Sequence, residues 1–262
     1  MKGLYFILFV VLFFCISCEF KLKKNDDEKQ NTKIEVRRYD RIESRYLTTG
    51  DFSALQQMNI EYPTETRTLI ENVLQIGDVS DYEINSKFLN FYQDTTLQSI
   101  ITDAELSFVD MDDINKQLND AFFKLKKMIP EINMPNVYSQ IGALNQSIVV
   151  GNNSIGISLD KYLGENYPLY KKYYTASQRK NMTREYIVPD CLCFYLLSVY
   201  PLRNYNFHSQ YERKMHVGKI MWVVNKITGK NLFQTKYVRN VELFIQKNPD
   251  TSIVSLLKSR NL

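Results

Sequence analysis

The spacing of hydrophobic positions changes several times along the chain, and each change marks an element. Leu4 to Phe14 is an unbroken apolar run of eleven residues behind Lys2, followed by Cys15-Ile16-Ser17-Cys18. From Glu19 to Thr32 apolar residues almost vanish, and Lys21, Lys23, Lys24, Asp26, Asp27, Glu28 and Lys29 take over. Ile34-Glu35-Val36-Arg37 then alternates strictly, which predicts a short strand burying Ile34 and Val36. Between Asp51 and about Met128 apolar residues recur every three or four positions, predicting four or five helices, with Asp51 and Thr64 as expected N-caps. The clearest helix carries Ile114, Leu118, Ala121, Phe122, Leu125 and Met128 on one stripe. Asp112 and Asp113 at its start and Lys124, Lys126 and Lys127 at its end complement the helix dipole, and Pro130 stops it.

Residues 133 to 164 change character. Val137 to Ile141, Ser147 to Val150 and Ser154 to Leu159 are short β-rich runs separated by Gly142-Ala143-Leu144-Asn145 and by Gly151-Asn152-Asn153, which predicts a small antiparallel sheet. Beyond Gly164 the helical pattern returns: around Tyr167 to Tyr174, near Ala176 to Tyr186, from Pro189 to about residue 199, over 211 to 227, and once or twice more at the C-terminus. The expected fold class is α+β, mostly helical, with the sheet in the middle of the chain. No repeat or interior linker divides residues 33–262, which read as a single domain.

Composition narrows the chemistry. The 262 residues are 44% hydrophobic and 24% charged, enough apolar material for a packed core. A net charge of +4 with both signs interspersed gives no support to nucleic-acid binding. Two His and four Cys leave almost no ligands for a transition metal, so neither a metal nor another cofactor is expected.

Eleven apolar residues are too few to span a bilayer but suit the core of a signal peptide. Ser17-Cys18 directly after them has the form of a lipoprotein cleavage site, with Cys15 where Leu is usual. The expectation is a signal peptide over 1–17, a lipid on Cys18 and a flexible charged tether over 18–32. A diacyl or triacyl chain, palmitate among its acyl groups, would hold the protein stably at the membrane. Lys residues precede the acidic cluster after Cys18, which favours a body facing the periplasm, on the outer rather than the inner membrane. An ordinary secretory signal cut near Ser17 would leave the Cys18 thiol unmodified.

Several phrases together resemble the gliding-motility lipoprotein GldB family. They are Ile34 to Arg41, Tyr62-Pro63, Ala121-Phe122-Phe123-Lys124 with Pro130, Pro135-Asn136-Val137-Tyr138, Ile141 to Asn145, Gly156 to Gly164, and Ile187-Val188-Pro189-Asp190. Their order and spacing cover about residues 33 to 190. The resemblance implies a lipid-anchored envelope protein tied in some members to gliding or envelope transport, with no established enzymatic activity. Ala143-Leu144 departs from the Gly-Phe that the family tends to carry. More distantly, strands followed by a helix at 189–199 and a helix with Gly218-Lys219 look like the core order of gluzincin metallopeptidases. The paired His and the Glu are missing, and Val217 stands before Gly218, so that likeness implies a degenerate, zincin-like core without its metal.

Candidate site residues remain. Cys191 and Cys193, two apart on a helix, point about 200° from each other and are expected to pack in the core. Asp160 follows a strand and is expected to cap the turn after it. A functional reading instead gathers Asn145, Asp160, Tyr162, Asp190, His216 and Lys219 into one polar cleft. No Ser-His, Cys-His or Glu-Glu partner accompanies these residues, so acid–base chemistry lacks its second group. His216 reads as a hydrogen-bonded or surface His. The tyrosines at 162, 167, 170, 173 and 174 suit packing, or stacking on a glycan or peptide. The expected function is therefore a non-catalytic interaction or structural component of the cell envelope with an unidentified protein partner. The alternative is a hydrolase, or a glycan- or peptide-binding protein, that uses a remnant peptidase-like cleft.

Overall fold

The structure is a computed structural model and describes residues 33–259; the expected signal peptide, Cys18 and the tether lie outside the described residues. Residues 34–262 form a unit of their own, built on one hydrophobic core that runs from Ile34 to Leu257. Its architecture is α+β and mostly helical. Strand β1 (Val36–Arg37) leads into α1 (Tyr39–Thr49), α2 (Phe52–Glu61) and α3 (Pro63–Arg67), which continues as π-helical turns over Thr68–Leu74. Then come α4 (Ile84–Phe91), α5 (Thr95–Ser107) and α6 (Asp112–Met128). Strands β2 (Asn136–Gln140), β3 (Ile148–Gly151) and β4 (Ser154–Ser158) follow, and a 3-10 turn over Leu159–Lys161 leaves the sheet. The remaining helices are α7 (Pro168–Tyr173), α8 (Ala176–Arg179), α9 (Ile187–Val199), α10 (Gln210–Thr228), α11 (Lys236–Lys247) and α12 (Ile253–Lys258).

The sheet is mixed, which corrects the antiparallel expectation. Its order is β1-β2-β4-β3, with β1, β2 and β4 parallel and only β3 antiparallel, to β4. Residues 141–147 form no tight hairpin but carry the chain past the neighbouring position, so β3 lies one strand further out and β4 returns between it and β2. The β3–β4 reversal is a two-residue turn in which Asn153 takes φ 57°, a left-handed conformation that Asn tolerates. Parallel strands are buried on both faces, and Val137 to Gln140 and Ile155 to Ser158 are all buried. Gly156 leaves room for the Tyr138 ring on the neighbouring strand: a Cβ would lie 2.6 Å from its Cζ and push the ring aside.

Strand β1 is shorter than its alternating pattern because side chains replace the ladder. Asn119 Oδ1 accepts from the Ile34 N–H (2.7 Å) and its Nδ2 donates to the Ile34 carbonyl (2.5 Å), while Asn115 Oδ1 accepts from the Val36 N–H (2.9 Å). Helix α1 starts at Tyr39, well before the helical pattern recognised from Asp51 onward, and it buries Asp40 and Glu43 along with Tyr46 and Leu47.

Two cap expectations differ in outcome. Asp51 caps α2, accepting from the Ser53 N–H (2.8 Å), whereas Thr64 caps nothing: Pro63 occupies the first helical position and Tyr62 precedes it. Helix α6 buries its stripe from Ile114 to Leu125, but Met128 is 41% exposed on the last turn. Helix α9 begins at Ile187, two residues before the expected Pro189, because the 3-10 turn over Arg184–Tyr186 runs straight into it. Pro189 falls in the first turn, where N–H groups have no intrahelical acceptor, so its missing donor costs no hydrogen bond.

Helix α9 packs against β3, β4, α6 and α10 and turns Cys191, Cys193 and Leu196 into the core. Leu197 is only half-buried. Leu196→Ala is therefore expected to destabilise the fold by about 2–5 kcal/mol, and Leu197→Ala by clearly less; urea unfolding of the two variants reads the difference.

Candidate functional site

The carboxyl ends of β2 and β4 converge on one turn. Gly142 to Asn145 reverses the chain with the Asn145 N–H donating to the Gly142 carbonyl (3.0 Å), and both central residues are left-handed, Ala143 at φ 50° and Leu144 at φ 62°. Positive φ at both centres belongs to a type I′ turn, which Gly and Asn adopt readily and Ala and Leu do not. Each such residue costs roughly 1–2 kcal/mol and must be held from outside.

Asp160 holds it. Its Oδ1 accepts from the Gly142 N–H (2.8 Å) and its Oδ2 from the Leu144 N–H (2.5 Å), and the residue is fully buried. The expected cap exists, but it serves the loop across from Asp160 rather than the turn that follows it. Lys161 Nζ (3.1 Å) and the Tyr174 hydroxyl (2.9 Å) both donate to the Leu144 carbonyl, and Asn145 Nδ2 donates to the Val73 carbonyl (3.1 Å). One residue upstream, Glu43 Oε2 accepts from the Ile141 N–H (2.9 Å) while the Tyr92 hydroxyl donates to the Ile141 carbonyl (2.5 Å).

Burial sets the electrostatics. It pushes the Glu43 carboxyl well above the usual carboxylate range, against the Ile141 N–H that favours its charge, and the nearby Asp40 and Asp160 push in the same direction as burial. Asp160 is likewise raised by burial, opposed by the two N–H groups it accepts. Glu43 Oε1 and Gln140 Oε1 are both buried without a hydrogen-bond partner among the described residues. A protonated Glu43 supplies one donor to this acceptor-rich spot.

The six residues of the expected cleft fall in three places. Asn145 and Asp160 belong to the turn. Tyr162 and Asp190 form a second pair, the Tyr162 hydroxyl donating to Asp190 Oδ2 (2.9 Å) at the start of α9, where burial raises the Asp190 carboxyl to about 7. His216 and Lys219 lie on α10: His216 Nε2 bonds the Tyr200 carbonyl (2.8 Å) and Lys219 Nζ donates to the Ser259 carbonyl (2.6 Å). Asp190 and Tyr200 are ten positions apart along α9, so Asp190 and His216 are separated by about 15 Å of helix. The tyrosine cluster is spent internally as well: Tyr170 donates to the Asp160 carbonyl and Tyr167 to Asp103 Oδ2 (2.7 Å), while Tyr173 is exposed. Among the described residues no group of three His, Cys, Asp or Glu side chains is placed to hold a metal ion. Glu43, central to the turn, escaped the sequence reading; Tyr39, Glu43, Tyr46 and Leu47 at helical spacing were the available signal.

A family model described as gliding motility protein GldB matches residues 21–237, well past the Asp190 at which the sequence phrases end. No curated protein and no solved structure matches.

The turn and the Asp190 pair each have a measurable signature. Asp160→Asn keeps one acceptor and turns an NH2 toward a buried N–H, so it should cost about 2–3 kcal/mol. Ala143→Gly relieves a left-handed Ala and should instead stabilise, by about 0.5–1 kcal/mol, in the same urea titration. Asp190 has a folded pKa above its ordinary value, so the stability it contributes is complete below about pH 4 and is lost as pH rises through about 7. Wild type should lose on the order of 2–3 kcal/mol relative to Asp190→Asn between pH 5 and pH 8; chemical unfolding of both proteins at several pH values checks this.

Proposed function

The chain belongs to the GldB family of gliding-motility lipoproteins, and from that premise we propose that it is held at the bacterial envelope by a lipid on Cys18 and works by engaging an envelope protein rather than by catalysis. Its body faces the periplasm, from the outer membrane rather than the inner. The apolar run ending in Ser17-Cys18 and the charged tether support the anchor. Among the described residues no helix is long and apolar enough to cross a membrane. The observation that carries the non-catalytic reading is Asp160, the most promising carboxylate of the sequence. Both of its oxygens are committed to the Gly142 and Leu144 N–H groups.

The competing reading is a hydrolase that uses Asp190, whose carboxyl titrates near neutrality beside the Tyr162 hydroxyl as an acid–base group requires. Substrate cleavage lost in Asp190→Asn would favour it. For the proposed function, crosslinking in intact envelopes followed by purification should recover one reproducible membrane-associated partner. A protein recovered repeatedly without any partner counts against the interaction role. Cys18→Ala should abolish incorporation of a fatty-acid label and move the protein out of the membrane fraction, and continued labelling of the variant would show that another Cys carries the lipid.

A further inference from the structure

A cavity of about 570 Å³ opens between the end of α9, the loop after it, α10 and α12, and its lining includes Arg203, His208, His216 and Lys258 but, among the described residues, no carboxylate. Arg203 and Lys258 are exposed and make no ion pair among the described residues. Glu212, on the first turn of α10, is committed to the Ser209 N–H (2.7 Å) and lies 3.4 Å from His208 Nδ1. Both cations line the same cavity, so an anion seated in it is attracted to two positive charges at once.

The rim of this cavity is built to hold an aromatic ring outward. Arg213 donates through Nε to the Tyr205 carbonyl (3.0 Å) and through Nη2 to the Asn206 carbonyl (3.1 Å), with its guanidinium 4.4 Å from the centre of the Tyr205 ring. His208 Nε2 bonds the Arg203 carbonyl (3.0 Å), and Asn204 takes the left-handed φ of 56° that starts the 3-10 turn over Tyr205–Phe207. Within this clamped loop Phe207 is 91% exposed and Tyr205 is 54% exposed. An aromatic ring held out by a fixed backbone, next to unpaired cations, is the combination that seats proteins at the headgroup level of an anionic bilayer.

We propose that this loop and cavity form a second membrane contact, in which Arg203 and Lys258 receive the phosphate of an anionic phospholipid while Phe207 enters the interface. The contact belongs to the body and is separate from the Cys18 anchor; that anchor, as read above, only keeps a bilayer within reach.

The test uses residues 34–262, which contain the whole described core and lack Cys18, so that its outcome is independent of lipidation. This protein should sediment with vesicles of phosphatidylglycerol in phosphatidylcholine and not with phosphatidylcholine alone, and binding should weaken in high salt. Arg203→Ser should lower vesicle affinity about fivefold. Phe207→Ser should lower it by a similar factor, with thermal midpoints unchanged because both side chains are exposed, and exposed Lys180→Ser should have no effect. Lack of phosphatidylglycerol-dependent sedimentation overturns the proposal, as does binding unaffected by both rim substitutions. Titration with glycerol phosphate distinguishes the sources: binding of the soluble anion without vesicle binding would make this a small-anion site and overturn the membrane contact.

Discussion

The left-handed turn from Gly142 to Asn145 is the constraint on which the middle of the molecule depends. It carries two residues in a conformation that L side chains avoid, and it is held because Asp160, Lys161 and Tyr174 fasten its backbone while the Asn145 side chain ties it to the Val73 carbonyl. The strand order follows from it. With the chain turned at this point, β3 is laid down away from β2 and β4 fills the space between them. Asp160 lies in the 3-10 turn directly after β4, next to the beginning of the connection that β2 feeds, so the strand that completes the sheet also delivers the group that secures its path.

Holding the turn from inside has an electrostatic consequence. Each buried carboxyl loses the solvation that favours its charge, and N–H donors return only part of it. Asp160 has two such donors and Glu43 one, with a second oxygen that has no partner. The two acids therefore differ: Asp160 accepts an N–H on each oxygen, whereas Glu43 accepts one, and burial pushes the pKa of both upward. Raising the Glu43 pKa works against a third buried negative charge close to Asp160 and Asp40.

Much of this was legible in the sequence, and what was not has a common physical cause. Period and composition located α6, the three β runs and the helices after Gly164, because these elements bury one regular face. Local chemistry located the Asp51 cap and the end of α6 before Pro130. The reading failed wherever a long-range partner decides the outcome. Helix α1 was hidden because Asp40 and Glu43 occupy its buried face and break the apolar stripe. Register and strand order were hidden because the short runs read alike in parallel and antiparallel pairing. Ala143-Leu144 gave no turn signal, since neither residue prefers positive φ. The six polar residues of the expected cleft are each hydrogen-bonded, but in three separate places: the turn, the start of α9 and α10.

That anchoring bears on what the molecule can do with its acids. For Asp160 to act as a general acid it must first carry a proton, and a protonated oxygen would face an N–H that it now accepts from. For it to act as a base it must release one of those N–H groups in a buried place, leaving that donor without its acceptor. Either step loosens a turn that already stores strain, so catalysis and turn-holding compete for the same two oxygens. Asp190 is less bound, with a single hydroxyl partner, yet its position at the start of α9 lies some three helical turns from the only buried His. Asp160 thus secures the turn and Asp190 holds the Tyr162 hydroxyl, while Arg203, Phe207 and Lys258 stand outward.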